Sequence, residues 1–216
     1  MLAPLSRFSI GKTAASEPSA SWSASARTFN ARLSSMITLA PWTTRTFDHE
    51  LPLGLYPAVL ERLRGTPARA AELLRAVPEP LRRWREEPSW SAQQHIGHLD
   101  DLHDLDLRRL QDYASGAAVL AAADMTNRKT DEADHNRVAT EALLERLRVH
   151  REELAQQLEQ LDETAAARSA QHPRLQRTMR VIDWVYFVAE HDDHHLARAR
   201  EALRRARDGI EAAGGG

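Results

Sequence analysis

The stretch AEHDDHHLARAR, Ala189 to Arg200, packs three histidines and two aspartates into five consecutive positions. It sits inside a longer periodic run. Trp184, Val188, His191, His195, Ala199 and Ala202 recur at three- and four-residue steps, the spacing of one helix face. His191 and His195 therefore lie on the apolar stripe, with Cβ atoms about 5–6 Å apart. At that separation two imidazoles can grip one ion, each at about 2.0–2.1 Å. Unpaired polar groups on a buried face cost roughly 1–3 kcal/mol each, and a cation would answer both at once. The competing reading is a pair of core histidines hydrogen-bonded to neighbours such as Asp192, or a wet bundle end. The chain holds ten histidines, so one such pair arises by chance about half the time. A third ligand has to decide.

Working outward, three other segments carry helical stripes. Tyr56, Leu60, Leu63, Pro67, Ala70, Leu74 and Val77 mark one over Leu53–Val77, interrupted at Gly65-Thr66-Pro67. Thr66 is placed to cap and Pro67 to begin a restarted helix. Ser91 and Gln94 form a capping box ahead of Ile96, Leu99, Leu102, Asp106, Leu110 and Tyr113, and Ser115-Gly116 offers the stop. Leu143, Leu147, Leu154, Leu158 and Leu161, with Arg151 spanning a gap, define a third helix from about Thr140 to Leu161. The fourth, holding the quoted stretch, runs from about Met179 to Ala206. Four long amphipathic helices without strand-like alternation predict an all-α fold, a four-helix bundle. About two dozen residues join the second helix to the third, too many for a tight bundle loop. Such a crossover makes those two helices parallel. Its polar run 122–136 reads either as a surface loop or as a wall over a site.

The 216 residues suit one large domain or one domain with tails. Residues 41–207 form the expected bundle. Residues 1–40 hold nine serines, four basic residues and one acid, and are expected to be a disordered or mis-started extension, with a transit peptide as the alternative. Residues 208–216 are expected to be a flexible tail. The formal net charge of −2 gives no field toward nucleic acid or an acidic membrane. No apolar run is long enough to span a bilayer. Cysteine is absent, which excludes a cysteine nucleophile, disulfides and Cys-ligated zinc, and fits a cytoplasmic location.

For the third ligand, His98 stands at the edge of the stripe formed by Ile96, Leu99 and Leu102. Gly97 beside it costs helix stability of about 1 kcal/mol against alanine and points to close packing. His95 and His103 compete on the same helix as supporting or surface residues. His194 points away from the 191/195 face and is expected in solvent. His49, His135, His150 and His172 look isolated, although His135 lies in the crossover and could approach. Asp101, three residues after His98, is the candidate to accept a proton or orient a ligand; Glu190 and Asp192 flank His191 and are candidates to support it. A zinc-protease helix fits poorly, because Asp192 stands where a glutamate is needed. A di-iron bundle needs Glu-x-x-His pairs that are absent.

WSAQQHIGHLDDL (90–102) and AEHDDHHLARA (189–199) resemble the two signature segments of the DinB/YfiT-like family, over about residues 45–207. The resemblance implies a four-helix bundle with a long second-to-third crossover. Its three metal ligands fall on His98, His191 and His195. It further implies a divalent metal, nickel or zinc, and in the better-understood relatives a low-molecular-weight thiol, transferred to an electrophile or used in isomerisation. The expected function is a metal-dependent thiol S-transferase acting on a small molecule. The alternatives are a metal-dependent hydrolase and a non-catalytic, stress-associated protein with a structural metal. A homodimer is expected, with Trp42 or Trp84 as candidates for the paired face. No nucleic acid or membrane partner is expected.

Overall fold

The computed structural model describes residues 38–214, with side chains to 210. Residues 1–37, nearly all of the expected N-terminal extension, lie outside them. From Ala40 onward the chain packs as one unit.

Pro57 and Pro67 each occupy a first-turn position, where a missing N–H costs nothing, and they start α1 (Tyr56–Arg64) and α2 (Thr66–Arg75). The break falls at Gly65, as expected, but Thr66 does not cap. Its hydroxyl instead accepts a 3.1 Å bond from Arg69 Nη2. A short α3 (Glu79–Arg83) follows. The capping box then starts α4 (Ala92–Asp101): Gln94 N–H donates to Ser91 Oγ at 3.1 Å, and Ser91 N–H to the Gln94 side chain at 3.0 Å. The second helix is interrupted for one residue at Leu102 and resumes as α5 (His103–Ser115). Gly116 closes α5 at φ 73°, a left-handed stop that glycine adopts without strain.

The crossover holds α6 (Arg128–Ala133) and a 3-10 turn at His135–Arg137 before α7 (Thr140–Glu159) and a single turn, α8 (Glu163–Ala166). A two-stranded antiparallel hairpin then intervenes, β1 (Ser169–His172) and β2 (Arg177–Arg180), pairing Ala170 with Met179. The expectation of no strands is corrected here, and Met179 belongs to β2 and not to the last helix. That helix, α9, spans Val181–Gly214. It runs past Ala206 and through most of the expected flexible tail, because the residues after Ala206 are mostly helix formers. The exception, Gly209, lets Trp84 close in; a Cβ there would lie 3.2 Å from the indole.

Cross-helix bonds give the directions. Gln93 pairs with Thr140 at 2.7 Å, Asp100 with Arg146 at 3.0 Å and His103 with Glu153 at 3.2 Å. Numbers rise together, so α4–α5 and α7 are parallel, as the crossover length predicts. Tyr56 bonds Leu158 while Arg75 bonds Glu141, so the first helical segment opposes α7. Leu51 meets Asp183 and Arg62 meets Asp193, so it runs with α9.

Two apolar clusters fill the interior. One holds Leu63, Leu110, Leu154, Leu158, Met179 and Trp184; the other holds Leu74, Ile96, Leu99, Leu143, Leu147 and Leu203. Between them in sequence, on three helices at once, come Asp106, Arg151 and Asp192. These charges form a buried layer: Arg151 Nη1 donates to Asp106 at 2.9 Å, and its Nη2 to Asp192 at 2.8 Å. Burial works against the Arg151 charge, but the two carboxylates outweigh it and hold the guanidinium firmly protonated.

Candidate metal centre

The histidines of α9 meet His98 of α4. One ring nitrogen from each of His98, His191 and His195 lies within 4.8 Å of the others. His191 Nε2 and His195 Nε2 are 3.2 Å apart. Two nitrogens bound to one tetrahedral ion at about 2.0–2.1 Å would stand about 3.3–3.4 Å apart, so this pair is already at ligand spacing. A direct N–H···N bond between them would leave the third imidazole facing them without a proton to share.

Each ring is turned by a second contact. His98 Nδ1 lies 2.9 Å from Thr130 Oγ1, and the Thr130 hydroxyl also bonds the Asp101 carboxylate. Burial alone would raise the Asp101 carboxyl, but bonds from His135 and Thr130 hold it below the usual range. An ionised carboxylate only accepts. Thr130 therefore donates to Asp101 and accepts from His98 Nδ1–H. That tautomer leaves the His98 Nε2 lone pair free for a cation. His195 Nδ1 lies 3.1 Å from His95 Nδ1, so its Nε2 is free for a cation when His195 is the donor of that bond. Trp42 packs edge-on against the His191 ring with centroids 4.8 Å apart.

Burial holds these imidazoles neutral. It pushes His98 down to about 4 and His95 to about 3, and puts His191 and His195 well below 6.5. Neutral imidazole is the form that ligates metals. The donor set thus suits a borderline divalent ion, and three protein ligands leave coordination open.

Gly97 has its reason in the same place. A Cβ there would sit 2.2 Å from the His135 ring, so only glycine admits the imidazole that reaches Asp101 Oδ2 at 2.8 Å. His135, in the crossover, is 1% exposed. Asp101 therefore stands behind His98, and its carboxylate is absent from the groups lining the cavity described next. Glu190 and Asp192 do not touch the three histidines. Glu190 pairs with Arg45 and Arg62, and Asp192 with Arg151. His194 is buried at 6% exposure and not in solvent, because Trp42 folds over it at 5.6 Å. His103 and His150 stack on each other, centroids 3.9 Å apart, away from the centre.

A cavity of about 900 Å³ opens onto the three histidines. Trp42, Trp84, Trp90 and Phe187 wall it, and Ala122–Met125 of the crossover close one side. The crossover is thus a wall and not merely a surface loop. Trp42 and Trp84, the candidates for a pairing face, both line this cavity. Residues 41–43 contribute to it although no periodicity marks them.

Fold and site define a class: a crossover four-helix bundle whose interior presents three neutral imidazoles to one point. The DinB superfamily pattern matches residues 62–199, and the chain belongs to that superfamily. Its fold is similar to that of YfiT from Bacillus subtilis, described as a "probable metal-dependent hydrolase with an unusual four-helix bundle topology". The TM-score is 0.65 at 16% identity, over 74% of this chain and 93% of that one. A mycothiol-dependent maleylpyruvate isomerase is similar over 71% of this chain and 62% of its own, at 15% identity and TM-score 0.55. A protein from Streptococcus pneumoniae is similar over 76% and 93%, at 12% identity and TM-score 0.54. At these identities the likeness concerns fold alone. No protein of curated function matches the chain. Among the described residues, no helix is long and apolar enough to cross a membrane.

Proposed function

We propose that this chain is a divalent-metal enzyme acting on small molecules, with His98, His191 and His195 as ligands and a thiol S-transfer as its reaction. The observation that carries it is the convergence of three neutral imidazoles, at ligand spacing, on a roomy cavity. A structural site would be closed by a fourth protein ligand; a catalytic one keeps a position open. Nickel and zinc both suit the donor set. Bound there, the ion would lower the pKa of a thiol or water delivered to it. The chain has no cysteine, so a thiol nucleophile must come from a low-molecular-weight cosubstrate. The cavity has volume for one beside an electrophile, since ligand pockets run to about 300–1,000 Å³.

The protein's own residues do the positioning. Asp101 and Thr130 fix the His98 tautomer, and His95 holds the His195 ring through its Nδ1. Trp42 and Trp90 shield the imidazoles from bulk water. Asp101 is a positioning residue in this scheme, since it touches His98 only through Thr130. A metal-dependent hydrolase is the second reading, favoured by the same open coordination and by the description given to YfiT. Turnover of a chloro-bimane with a panel of small thiols, against turnover of activated esters by the same metal-loaded protein, separates the two. Thiol-dependent turnover lost in His195→Ala supports the transferase. Ester turnover without thiol supports the hydrolase. Neither, with metal bound, leaves a structural role.

A further inference from the structure

Most arginines among the described residues are answered by a carboxylate. Arg45, Arg62, Arg64, Arg69, Arg75 and Arg151 all form ion pairs. Two arginines of the cavity wall do not, among the described residues. Arg109, on α5, is 4% exposed and has no carboxylate within ion-pair distance. Its Nε donates to the Ala121 carbonyl at 2.9 Å, and no other hydrogen bond to its guanidinium occurs among the described residues. The nearby Asp106 carboxylate is taken by Arg151. Arg174, in the turn between β1 and β2, makes no hydrogen bond there either, and its Nη2 is buried without a partner. Its guanidinium rests 5.8 Å over the Phe187 ring. Beside them His172, 2% exposed, leaves Nε2 buried and unpartnered; its Nδ1 accepts from Leu175 N–H at 3.3 Å.

All three side chains line the cavity that holds the metal ligands. Aromatic rings connect the two places: His172 lies 5.2 Å from Phe187, Phe187 5.0 Å from Trp42, and Trp42 4.8 Å from His191. Burying cations near one another without an acceptor is costly. The fold pairs the buried Arg151 with two carboxylates, whereas the buried Arg109 and the half-buried Arg174 are left for something else to complete. Burial depresses the Arg109 guanidinium against the pull of Asp106, with a smaller push from Arg174, and burial and both arginines push His172 down to about 3. A bound anion would relieve both strains.

We propose that Arg109, Arg174 and His172 form an oxyanion site that holds the carboxylate or phosphate group of a substrate while its reactive end faces His98, His191 and His195. Guanidinium forks match such groups bidentately, and the neutral imidazole adds one N–H donor from Nε2. The subsite deepens the reading above and rests on it for the reacting end only; anion binding itself needs no metal. The substrate class is therefore a small oxyanion with an apolar body, which Phe187 and Trp42 would cover.

The test uses benzoate, phenylphosphonate and the neutral benzamide, titrated calorimetrically into full-length protein, metal-loaded and chelator-treated. Saturable binding of at least one anion is expected, with benzamide about ten- to a hundredfold weaker, the factor charge-assisted hydrogen bonds supply. Comparison of benzoate with phenylphosphonate identifies which oxyanion is preferred. Arg174→Gln should remove most of the preference, and benzamide binding should not change. Arg174 makes no structural bond, so this variant should fold; Arg109→Gln is the second, independent removal of charge. The preference should persist in chelated protein and in His98→Ala. Absent anion binding, equal binding of benzamide, or a preference that survives both arginine variants would overturn the proposal. A preference that disappears with the metal would also overturn it, while leaving the metal reading intact. Metal-free protein that keeps the preference upholds the subsite whether or not the metal reading stands.

Discussion

Two buried polar clusters share α9 and follow opposite rules. Around Arg151, every charge is answered: one guanidinium lies between Asp106 and Asp192, all nearly inaccessible to solvent. Around His191 and His195, on either side of that same Asp192, like meets like. Neutral nitrogens face one another at ligand spacing, and the His98 ring is turned so that an acceptor is left over. The first cluster is complete without a ligand. The second is arranged as if a cation were its missing member. Adjacency on one helix thus separates what holds the bundle from what the bundle holds.

Acidification should break the comparison most strongly. His95, His98, His172 and His194 have folded-state values pushed to about 3–4 by burial, against about 6.5 when unfolded. The unfolded state therefore binds more protons between those limits. Stability should fall as pH drops below about 6.5, by up to about 2 kcal/mol per imidazole at pH 5. Asp106, pushed up to about 6 by burial, works in the opposite sense but is a single group. Denaturation midpoints of chelated protein at pH 7 and pH 5 check the balance, and added metal should steepen the loss.

Arg151→Met should come next. It strands two buried carboxylates, and breaking such a pair costs about 3–5 kcal/mol. Urea denaturation measures it. His191→Ala, one residue from Asp192, should leave unfolding of chelated protein nearly unchanged while abolishing metal binding. Equal destabilisation by both variants would erase the distinction between the clusters.

Thr130→Val sharpens it more finely. The valine removes the hydroxyl that fixes the His98 tautomer, and loss of such a supporting bond lowers metal affinity about ten- to a hundredfold. Competition with a chromophoric chelator reads the change. Ser91→Ala, which opens the capping box at the start of α4, should cost about 1 kcal/mol and leave the metal in place.

Much of this was legible before any coordinates. Periodic apolar stripes set the four helices, Ser91 and Gln94 the start of α4, and the crossover length the parallel pairing of α4–α5 with α7. His98 could be picked from its position beside Ile96 and Leu99. Other features carried no periodic signal. The strands Ser169–His172 and Arg177–Arg180 are four residues each and mostly polar, too short for alternation to register. Trp42 reaches His191 from an aperiodic segment, and buries His194, which helix geometry alone had assigned to solvent. Arg109 and Arg174 resembled the many surface arginines, because an unpaired charge is visible only once its neighbours are known. Gly97 was a partial exception: its cost suggested close packing, but not that His135 was the ring it admits.

Metal content of untagged protein, compared between wild type and the variants His98→Ala, His191→Ala and His195→Ala, tests the central claim most directly. About one divalent ion per chain is expected in the wild type, with loss of that ion in each variant while helical content persists. Stoichiometric metal retained in all three, or a wild type that takes up none when nickel or zinc is supplied, would contradict it.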